Sequence, residues 1–406
     1  MSLEEIFATR ATRMQASETR ELLKLLDQPD IISFAGGIPD PALFPKAAFQ
    51  DAFSDVLNGP IAGQALQYST SEGHKPLRVW IAGQMQAIGI PATPDNILIT
   101  SGSQQALDYL GKLFLSPGDT ALVGWPTYLG ALGAFNAYEP RYDKLDPLSN
   151  RSGDDYNDAA QAAGGAVKFA YLSVDFANPT GVTVSRAARE RVIDLADELQ
   201  IAVIEDAAYQ ALRFDGEVIP PILALEAARK GGDLEACRAI YCGSFSKTLS
   251  PGLRVGWVCA AMPVIGQLVL MKQAADLHSA TLNQMAIAHV AETHFDGHIE
   301  TVRHAYRARR DAMLEALEMH MPDGVSWIKP EGGMFVWVTL PEKLDGADLL
   351  AQSLETERVA FVPGHAFFAD GSGRNTLRLS YATSDEAKIA EGIKRLGQLI
   401  GRALDA

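Results

Sequence analysis

Short apolar runs alternate with amphipathic stretches from residue 95 to residue 261, and this alternation predicts an α/β fold. Strands separated by helices need crossover connections, so we expect a mostly parallel central sheet sandwiched by helices on both faces. After residue 262 the pattern changes to long helical stretches with two later strands, which predicts a smaller α+β domain. At 406 residues, the chain is long enough to form both domains.

Six apolar runs are predicted to form the strands of the central sheet, and each has the length of a buried strand. They span residues 96–100, 120–124, 168–174, 201–205, 239–242 and 255–261. Residues 106–115 repeat apolar side chains at helical spacing. Residues 185–199 do the same after Ser185, a favoured N-cap residue. Both segments are predicted to be helices.

The order of the later elements defines the smaller domain. Helical stretches continue to residue 321, strands cover 333–339 and 376–382, and a last helix is expected to open at Thr383-Ser384-Asp385-Glu386, which fits a capping box. We therefore predict three regions. They are an N-terminal arm that forms part of the small domain (1–45), a large domain (46–295) and a small C-terminal domain (296–406).

Composition excludes several classes of protein. The net charge of −15 argues against nucleic acid and anionic membrane surfaces as partners, because both require a basic surface. Neither a signal peptide nor an apolar run of membrane-spanning length is visible. Cys237, Cys242 and Cys259 lack CxxC spacing, and they are expected to be buried, reduced thiols of a cytoplasmic protein.

One lysine stands out because it lies among hydroxyl groups in a loop between two buried strands. The segment 244–254 contains Lys247 together with Ser244, Ser246 and, seven residues after the lysine, Arg254. Desolvation and a neighbouring cation lower the pKa of a lysine, and the neutral amine is the form that condenses with a carbonyl. The segment therefore predicts an aldehyde-binding lysine beside a phosphate site.

A second candidate anion site is Ser101-Gly102-Ser103-Gln104-Gln105, where a predicted strand meets a helix. Free backbone amides and the helix dipole would converge there on an anion. The alternative is a capped turn without a ligand. The segment is not a dinucleotide fingerprint, because GxGxxG is absent.

Polar residues also follow two other predicted strands. Asp206 lies at the carboxyl edge of a central strand, where open α/β sheets bind ligands, and Tyr209 follows three residues later. Asn178 lies in the turn Asn178-Pro179-Thr180-Gly181. Two alternatives stay open: an ordinary Asn-Pro turn, and Asp206 as the cap of a following helix.

Taken together, eight motifs resemble the fold-type I pyridoxal-phosphate enzymes of the class I/II aminotransferase family, and the resemblance covers nearly the whole chain. The motifs, in the family's order, are Phe34-Ala35-Gly36-Gly37-Ile38-Pro39, Gln67-Tyr68-Ser69, Ser101-Gly102-Ser103-Gln104-Gln105, Asn178-Pro179-Thr180-Gly181, Asp206-Ala207-Ala208-Tyr209, Ser246-Lys247-Thr248, Arg254-Val255-Gly256 and Thr376-Leu377-Arg378-Leu379. Ala208 and Ala177 depart from the proline and glutamine that the family often has at these positions.

The resemblance implies a role for each residue around the cofactor, pyridoxal 5'-phosphate. Lys247 would bind its aldehyde and then shuttle the Cα proton of the substrate. Asp206 would pair with the pyridinium nitrogen and keep the ring an electron sink. Asn178 and Tyr209 would hydrogen-bond the phenolic oxygen of the ring, and Tyr128 would stack on the ring.

The resemblance also implies contacts to the phosphate and to the substrate. The phosphate would be held by Ser103, Gln104, Ser244, Ser246 and Arg254. Arg378 would clamp the α-carboxylate of the substrate, and Gly37 would let the backbone approach it closely. In similar proteins a tyrosine matching Tyr68 reaches the partner subunit's phosphate, which implies a homodimer with composite active sites.

Within the family, residues 17–24 followed by 32–37 look like the branch that contains 2-aminoadipate and kynurenine aminotransferases. In that branch an arginine matching Arg20 can meet an acidic side chain of the substrate. The equally weighted alternative is an ordinary exposed arginine at a helix start.

Two other groups of residues are assigned structural roles. His294 and His298 are four apart, but the intervening Phe295-Asp296-Gly297 is expected to break a helix, so no metal site is predicted. The basic run Arg303, Arg307, Arg309 and Arg310 recurs at helical spacing among acids and is expected to be a solvated helix face.

The sequence therefore predicts an aminotransferase that moves an amino group from an L-amino acid to a 2-oxo acid such as 2-oxoglutarate. One alternative is a lyase or decarboxylase that uses the same cofactor and fold. The other is an effector-sensing module of a transcription regulator. That alternative is disfavoured because only about 30 residues precede Ile31, too few for a DNA-binding domain.

Overall fold

Seven strands form the central sheet of the protein, for which a computed structural model describes residues 3–14 and 30–405. The α-helices of these ranges are α1 (Lys46–Asn58), α2 (Ala62–Ala65), α3 (Lys75–Ala87), α4 (Ser103–Phe114), α5 (Leu129–Asn136), α6 (Gly153–Ala162), α7 (Arg186–Leu199), α8 (Ile222–Arg229), α9 (Met262–Ala275), α10 (Thr281–His320), α11 (Gly346–Gln352) and α12 (Glu386–Asp405). The strands are β1 (Ile32–Ser33), β2 (Ile97–Thr100), β3 (Thr120–Val123), β4 (Arg141–Lys144), β5 (Val167–Leu172), β6 (Ala202–Asp206), β7 (Ala239–Ser244), β8 (Gly256–Cys259), β9 (Ser326–Trp327), β10 (Phe335–Thr339), β11 (Val359–Ala360), β12 (Val362–Pro363) and β13 (Thr376–Ser380).

The central sheet has the strand order β2-β8-β7-β6-β5-β3-β4. Strand β8 is antiparallel to both of its neighbours, and the other pairs are parallel, which confirms the predicted mostly parallel sheet. All six predicted strands are present. Strand β4 was not predicted, because its sequence Arg-Tyr-Asp-Lys is polar and its position at the sheet edge leaves both of its ends exposed.

The two faces of this sheet pack against different helices. On one face, Val258, Ile240 and Ile204 join a core that includes Leu107 and Leu110 of α4. We call this the α4 face. On the other face, which we call the α3 face, Tyr241 and Trp257 join residues of α3, α7, α8 and the first part of α10. The separation follows from the alternation of side chains along a strand.

The smaller domain contains the antiparallel sheet β12-β13-β10-β9 and has its own hydrophobic core. Strand β1 of the N-terminal arm pairs in parallel with β11, a strand of the C-terminal part of the chain. The structure thus has the predicted arrangement of a large α/β unit beside a smaller α+β unit. No helix within residues 3–14 and 30–405 combines the length and apolar character needed to cross a membrane.

Helix α10 corrects one expectation, because it runs through Phe295-Asp296-Gly297 without a break. A glycine inside a helix costs only about 1 kcal/mol relative to alanine. Ile299 and Val302 are buried in the turns that follow the glycine, and their burial offsets this cost. His294 and His298 therefore share a helix, and the predicted boundary between residues 295 and 296 falls inside it.

The basic run on α10 is not simply a solvated face, which is a second correction. Arg310 is buried and pairs with Asp215 at 2.6 Å, and it donates to the carbonyl oxygen of Pro330 at 2.9 Å. Arg309 pairs with Asp40 of the N-terminal segment at 2.7 Å. These arginines join α10 to neighbouring segments, and only Arg307 is mostly exposed. Periodicity alone did not reveal their long-range partners.

The N-terminal cap of α12 differs in detail from the predicted capping box. The helix begins at Glu386, and the side chain of Asp385 accepts from the backbone N–H of Lys388 at 2.8 Å. Asp385 is thus the capping residue rather than Thr383. The predicted cap of α7 is confirmed, since Ser185 accepts from the N–H of Ala188.

Candidate active site

Lys247 lies in the turn that follows β7, and its side chain is directed towards the N-terminal arm. Its Nζ donates to the carbonyl oxygen of Gly37 at 2.7 Å. Burial, followed by the nearby Arg378 and Arg254, lowers the pKa of Lys247 to about 8, although Asp206 opposes the shift. The turn is held by backbone bonds from Phe245 to Val255 and from Leu249 to Phe245. The local structure therefore provides the predicted amine of lowered basicity.

Asp206 ends β6, and its side chain lies on the α4 face of the sheet. Its Oδ2 accepts from the hydroxyl of Tyr171 at 2.9 Å, whereas Oδ1 is buried without a hydrogen-bond partner. Burial raises the pKa of this carboxyl to about 6. No helix follows directly, so Asp206 is not a helix cap. A buried carboxylate oxygen without a partner is suited to a cationic or N–H donor from a ligand.

Arg378 lies on β13 of the smaller domain and is almost fully buried. Its guanidinium donates to Asn178 Oδ1 and to the carbonyl oxygen of Ala35, both at 2.8 Å, while Nε has no partner. No carboxylate of the described ranges pairs with it. Burial lowers the pKa of Arg378 to about 10. A buried arginine without a carboxylate partner is the expected receptor for a ligand carboxylate.

Gly37 lies beside Arg378, where a larger residue would intrude. A Cβ at Gly37 would come within 3.3 Å of Phe335 Cζ and 3.8 Å of Arg378 Nη2. The Arg378 guanidinium also stacks over the ring of Phe335 at 4.3 Å. An added Cβ would therefore press on Phe335 beside the arginine, while its distance to Arg378 would be an ordinary contact.

Tyr209 and Asn178 occupy the space between Lys247 and Arg378. The ring centroid of Tyr209 is 5.9 Å from Lys247 Nζ, and Asn178 Oδ1 accepts from Arg378 Nη1 at 2.8 Å. Burial raises the pKa of Tyr209. Tyr128, the residue before α5, is close enough to affect the pKa of both Tyr209 and Arg378. The structure therefore brings these predicted residues together.

The start of α4 and the loop after β7 together form a candidate anion site. Gly102 has a φ of 79°, and no side chain caps the helix that begins at Ser103. A Cβ at Gly102 would lie 2.4 Å from Arg254 Nη2, so only glycine lets the arginine approach. Uncapped backbone amides, the helix dipole and Arg254 thus converge on one point.

The hydroxyl side of this anion site comes from Ser244 and Ser246. Ser244 Oγ donates to Ser246 Oγ at 2.8 Å and accepts from the backbone N–H of Ser246 at 3.0 Å. The side chain of Gln104 instead donates to the carbonyl oxygen of Gly130 at 2.6 Å, so it links α4 to α5. Gln104 would therefore contact an anion through its backbone N–H in the first turn of the helix, and not through its side chain.

Sequence reasoning missed a polar network, centred on Asp276, beside the candidate anion site. Lys272 of α9 is fully buried and pairs with Asp276 at 3.0 Å. Asp276 Oδ2 also accepts from Gln105 Nε2 at 2.8 Å and from Ser101 Oγ at 3.2 Å. Burial lowers the pKa of Lys272. The Lys-Asp spacing of four was visible in the sequence, but such pairs are common on exposed helices, and only the fold showed that the lysine of this pair is buried.

The remaining predicted site residues are Tyr68 and Arg20. Tyr68 is 79% exposed and makes an edge contact with His278 at a centroid distance of 5.9 Å. Arg20 lies outside the described residues. No group of three or more histidine, cysteine, aspartate or glutamate side chains within residues 3–14 and 30–405 could hold a metal ion. The three cysteines are free and buried, as expected.

The clustered residues fit the groups of pyridoxal phosphate. The unpartnered Oδ1 of Asp206 suits a pyridinium N–H, the amine of Lys247 suits an aldehyde, and the cradle at Gly102 suits a phosphate. When bound, this cofactor supplies an electron sink for the carbanion formed at the substrate Cα. Nothing in the geometry conflicts with the cofactor that the sequence predicted.

Comparisons with known proteins agree with this site. The family model described as aminotransferase class I and II matches residues 45–396. Aromatic-amino-acid aminotransferase 1 of Thermococcus litoralis is 43% identical over 98% of this chain and 95% of its own. The 2-aminoadipate transaminase of Thermus thermophilus is 44% identical over 98% of both chains.

A solved structure shows the same similarity in three dimensions. The crystal structure of the α-aminoadipate aminotransferase LysN from Thermus thermophilus, complexed with N-(5'-phosphopyridoxyl)-L-leucine, has a TM-score of 0.88 and 42% sequence identity, and it covers 100% of both chains. These comparisons support transamination over the lyase, decarboxylase and effector-sensing alternatives. The chain therefore belongs to the class I and II aminotransferase family, and it is a pyridoxal-phosphate-dependent aminotransferase.

Proposed function

We propose that this enzyme transfers the amino group of an L-amino acid with an acidic, aromatic or aliphatic side chain to a 2-oxo acid such as 2-oxoglutarate. The observation that carries the proposal is the buried guanidinium of Arg378, which lacks a carboxylate partner among the described residues and lies close enough to Lys247 to lower its pKa. An α-carboxylate is the group common to all of these substrates. The names of the relatives include 2-aminoadipate and aromatic amino acids, and the similar crystal structure holds a leucine adduct.

Each site residue is proposed to have one task. Lys247 Nζ binds the cofactor and later moves the proton at the substrate Cα, because its lowered pKa allows the neutral amine near pH 8. Asp206 Oδ1 holds the positive charge on the pyridine nitrogen. Tyr209 and Asn178 bind the phenolic oxygen, and Tyr128 stacks on the ring.

The remaining groups bind the two anions. The phosphate is proposed to be held by Ser103, Gln104, Ser244, Ser246 and Arg254. Arg378 binds the α-carboxylate, which fixes the orientation of the Cα–H bond. Arg20 is proposed to bind the second carboxylate of acidic donors.

We further propose that the enzyme is a homodimer with composite sites and operates in the cytoplasm. The exposure of Tyr68 supports the first statement, because a subunit interface would bury this side chain. Three free thiols support the second. We also keep the division into regions 1–45, 46–295 and 296–406 as a proposal, with α10 as the connection between the last two.

A panel of amino donors tests the proposed substrates. The purified enzyme is given L-2-aminoadipate, L-glutamate, L-phenylalanine, L-tyrosine or L-leucine with 2-oxoglutarate, or with pyruvate when glutamate is the donor, and the oxo-acid product is measured. Arg378→Ala should lower kcat/KM for every donor by about a hundredfold or more, since a charged hydrogen-bond pair is lost. Arg20→Ala should affect only 2-aminoadipate and glutamate. A uniform effect of Arg20→Ala, or none, would contradict its assigned role.

Two exposed arginines serve as matched controls. Arg374 lies four residues before Arg378, and its side chain is 76% exposed in a surface pair with Asp345. Arg10 lies in the N-terminal segment and is also exposed. Both alanine variants should retain activity with every donor. Wild-type activity of Arg378→Ala would contradict the proposed carboxylate site.

A further inference from the structure

A second cavity lies on the α3 face of the central sheet, opposite the side chain of Asp206. Its volume is about 560 Å³, and it lies between α3, the first half of α10 and the ends of β7 and β8. This volume is typical of sites that bind small molecules. None of Lys247, Asp206 and Arg378 lines it. The sheet therefore separates this cavity from the candidate active site.

The wall of the cavity is largely aromatic and aliphatic. Trp80 and Phe295 meet edge to face with their ring centroids 5.1 Å apart, and Trp257, Ile88 and Ile219 complete the apolar surface. Such a surface gains most from an aromatic ligand, which buries a large apolar area and can stack in offset or edge-on geometry.

Two buried polar atoms without hydrogen-bond partners belong to residues of the wall. They are the indole Nε1 of Trp257 and the hydroxyl of Thr248, whose residues are 9% and 7% exposed. The indole N–H is only a donor. Leaving such a group unsatisfied costs about 1–3 kcal/mol, which a ligand oxygen could recover. A ligand of this cavity should therefore carry an acceptor oxygen.

The charges at the rim favour a neutral ligand. Arg303 is already bonded to Glu300 and to the carbonyl oxygen of Ala211. Arg213 is bonded to Asp175 at 2.9 Å and to Glu331 at 3.1 Å. The two arginines of the rim are thus neutralised by their partners, and a carboxylate ligand would find no free cation at either.

We propose that this cavity is a regulatory binding site for a small, neutral, aromatic molecule that carries a hydrogen-bond-accepting oxygen. Its walls are shared with the catalytic machinery on the other side of the sheet. Thr248 follows Lys247 directly, Ser244 belongs to the candidate anion site, and Ala207 and Ala208 directly follow Asp206. Occupancy of the cavity therefore changes the positions of catalytic groups without blocking the substrate.

A matched pair of probes tests the chemistry. Acetophenone and ethylbenzene have almost the same shape, but only acetophenone has an acceptor oxygen. Titration of the cofactor-loaded wild-type enzyme by calorimetry should show saturable binding, with acetophenone about five- to tenfold tighter, as expected for one neutral hydrogen bond. A saturating amino donor should not displace it. Acetophenone should also change kcat.

Three variants locate the binding. Gln84→Trp should abolish binding of both probes, since Gln84 lines the cavity and a tryptophan would fill it. Val79 lies on the same helix at an exposed position outside the cavity. The control Val79→Trp should therefore leave the affinities for acetophenone and ethylbenzene unchanged. Trp257→Phe should bring the ratio of the two affinities close to one, because it removes the N–H and keeps a ring.

Several outcomes would overturn the proposal. They are absence of saturable binding, displacement of acetophenone by the amino donor, and binding that survives Gln84→Trp. An unchanged preference in Trp257→Phe would also contradict it. If Trp257→Phe does not fold, a crystal structure with acetophenone decides the question. Its oxygen must lie within hydrogen-bond distance of Trp257 Nε1, and any other position refutes the assignment.

Discussion

Asp206 and Arg378 are both buried, and each has one polar atom without a partner. Such groups destabilise the protein until a ligand satisfies them, because desolvation is not repaid within the fold. Asp206 and Arg378 are therefore expected to lower the free energy of unfolding of the ligand-free protein. Two predictions follow from the pKa values of Asp206 and Lys247.

Replacement of Asp206 should separate stability from activity. Burial raises the pKa of this carboxyl from 3.8 to about 6, so its ionised form lowers the stability of the cofactor-free protein. This loss of stability is absent below about pH 4, grows between about pH 4 and 6, and reaches its full size above about pH 6. Asp206→Asn should therefore raise the free energy of unfolding of the cofactor-free protein by up to about 3 kcal/mol at pH 8. The gain should vanish near pH 4.

The same variant should lose catalytic power in the loaded enzyme. We expect kcat to fall about a hundredfold to a thousandfold, the range for loss of one preorganised electrostatic group. Denaturant titration and steady-state kinetics measure the two effects. Asp296→Asn, an exposed control on α10, should change neither. Wild-type turnover of Asp206→Asn would show that another group stabilises the pyridine nitrogen.

The amine of Lys247 should control the pH dependence of cofactor capture. Its pKa is lowered to about 8 by burial and by two arginines, and the neutral amine is the reactive form. The rate of covalent capture by the cofactor-free enzyme should therefore rise with pH and level off above about pH 8. Stopped-flow absorbance measures this rate. A midpoint near the usual lysine value of about 10.4 would contradict a desolvated amine.

Borohydride reduction provides the control for the identity of the amine. Reduction of the loaded wild-type enzyme should fix the cofactor to Lys247, as peptide mapping would show. Lys247→Ala should fold, remain unlabelled and lack turnover. Labelling of another lysine would overturn the assignment of the site.

At the scale of elements, the phosphate cradle depends on how α9 holds the start of α4. Asp276 bonds Lys272, Gln105 and Ser101 at once, so it fixes the turn that leads into the helix. Asp276→Asn should lower both the melting temperature of the cofactor-free protein and the affinity for cofactor, the latter about tenfold. Equilibrium dialysis and thermal unfolding measure these quantities.

A double variant distinguishes positioning from general stability. Lys272→Met with Asp276→Leu removes both charges, so the buried position 272 no longer holds a cation without a partner, and stability should partly return. Cofactor affinity should stay low, because leucine offers Ser101 and Gln105 no acceptor oxygen. Recovery of affinity together with stability would mean that the network has only a structural role.

At the scale of the whole molecule, the segment that contains Tyr68 exposes two large apolar side chains. Leu66 and Tyr68 are 73% and 79% exposed. Clusters of exposed apolar residues often mark interfaces between proteins. This surface is consistent with the proposed two-fold dimer in which each Tyr68 completes the partner's phosphate site.

Mixed dimers test the composite site. When Lys247→Ala subunits are mixed with Tyr68→Ala subunits, a heterodimer has one site with both lesions and one intact site. With random exchange, half of the dimers are mixed, so activity should recover to about a quarter of the wild-type value. Subunit exchange is checked by mass spectrometry of the mixed species.

The matched control uses two residues that both belong to the active site of their own subunit. Lys247→Ala mixed with Arg378→Ala leaves one lesion in each site of the heterodimer, since both residues come from one chain. No recovery is expected there. Absence of recovery with Tyr68→Ala, despite proven exchange, would contradict the shared site.

Much of this protein follows from its sequence because the relevant interactions are local or periodic. The six buried strands of the central sheet are apolar runs bounded by polar turns, and the chemistry at Lys247, Asp206 and Asn178 lies just after such strands. Parallel strands bring their carboxyl ends to one edge, so these residues meet whatever the details of packing. The motifs that contain them also indicated the family.

Other features depended on contacts between distant segments, which only the tertiary structure decides. Arg310 and Lys272 have the helical spacing of exposed charges, but packing buries them against Asp215 and Asp276. Helix α10 continues through Gly297 because flanking residues pack into the core, and the polar strand β4 forms because β3 offers it an edge. The cavity behind Trp257 likewise arises where α3 and α10 meet the sheet. Sequence periodicity specifies which face of an element is buried, whereas the partners of that face are fixed only when the whole chain has folded.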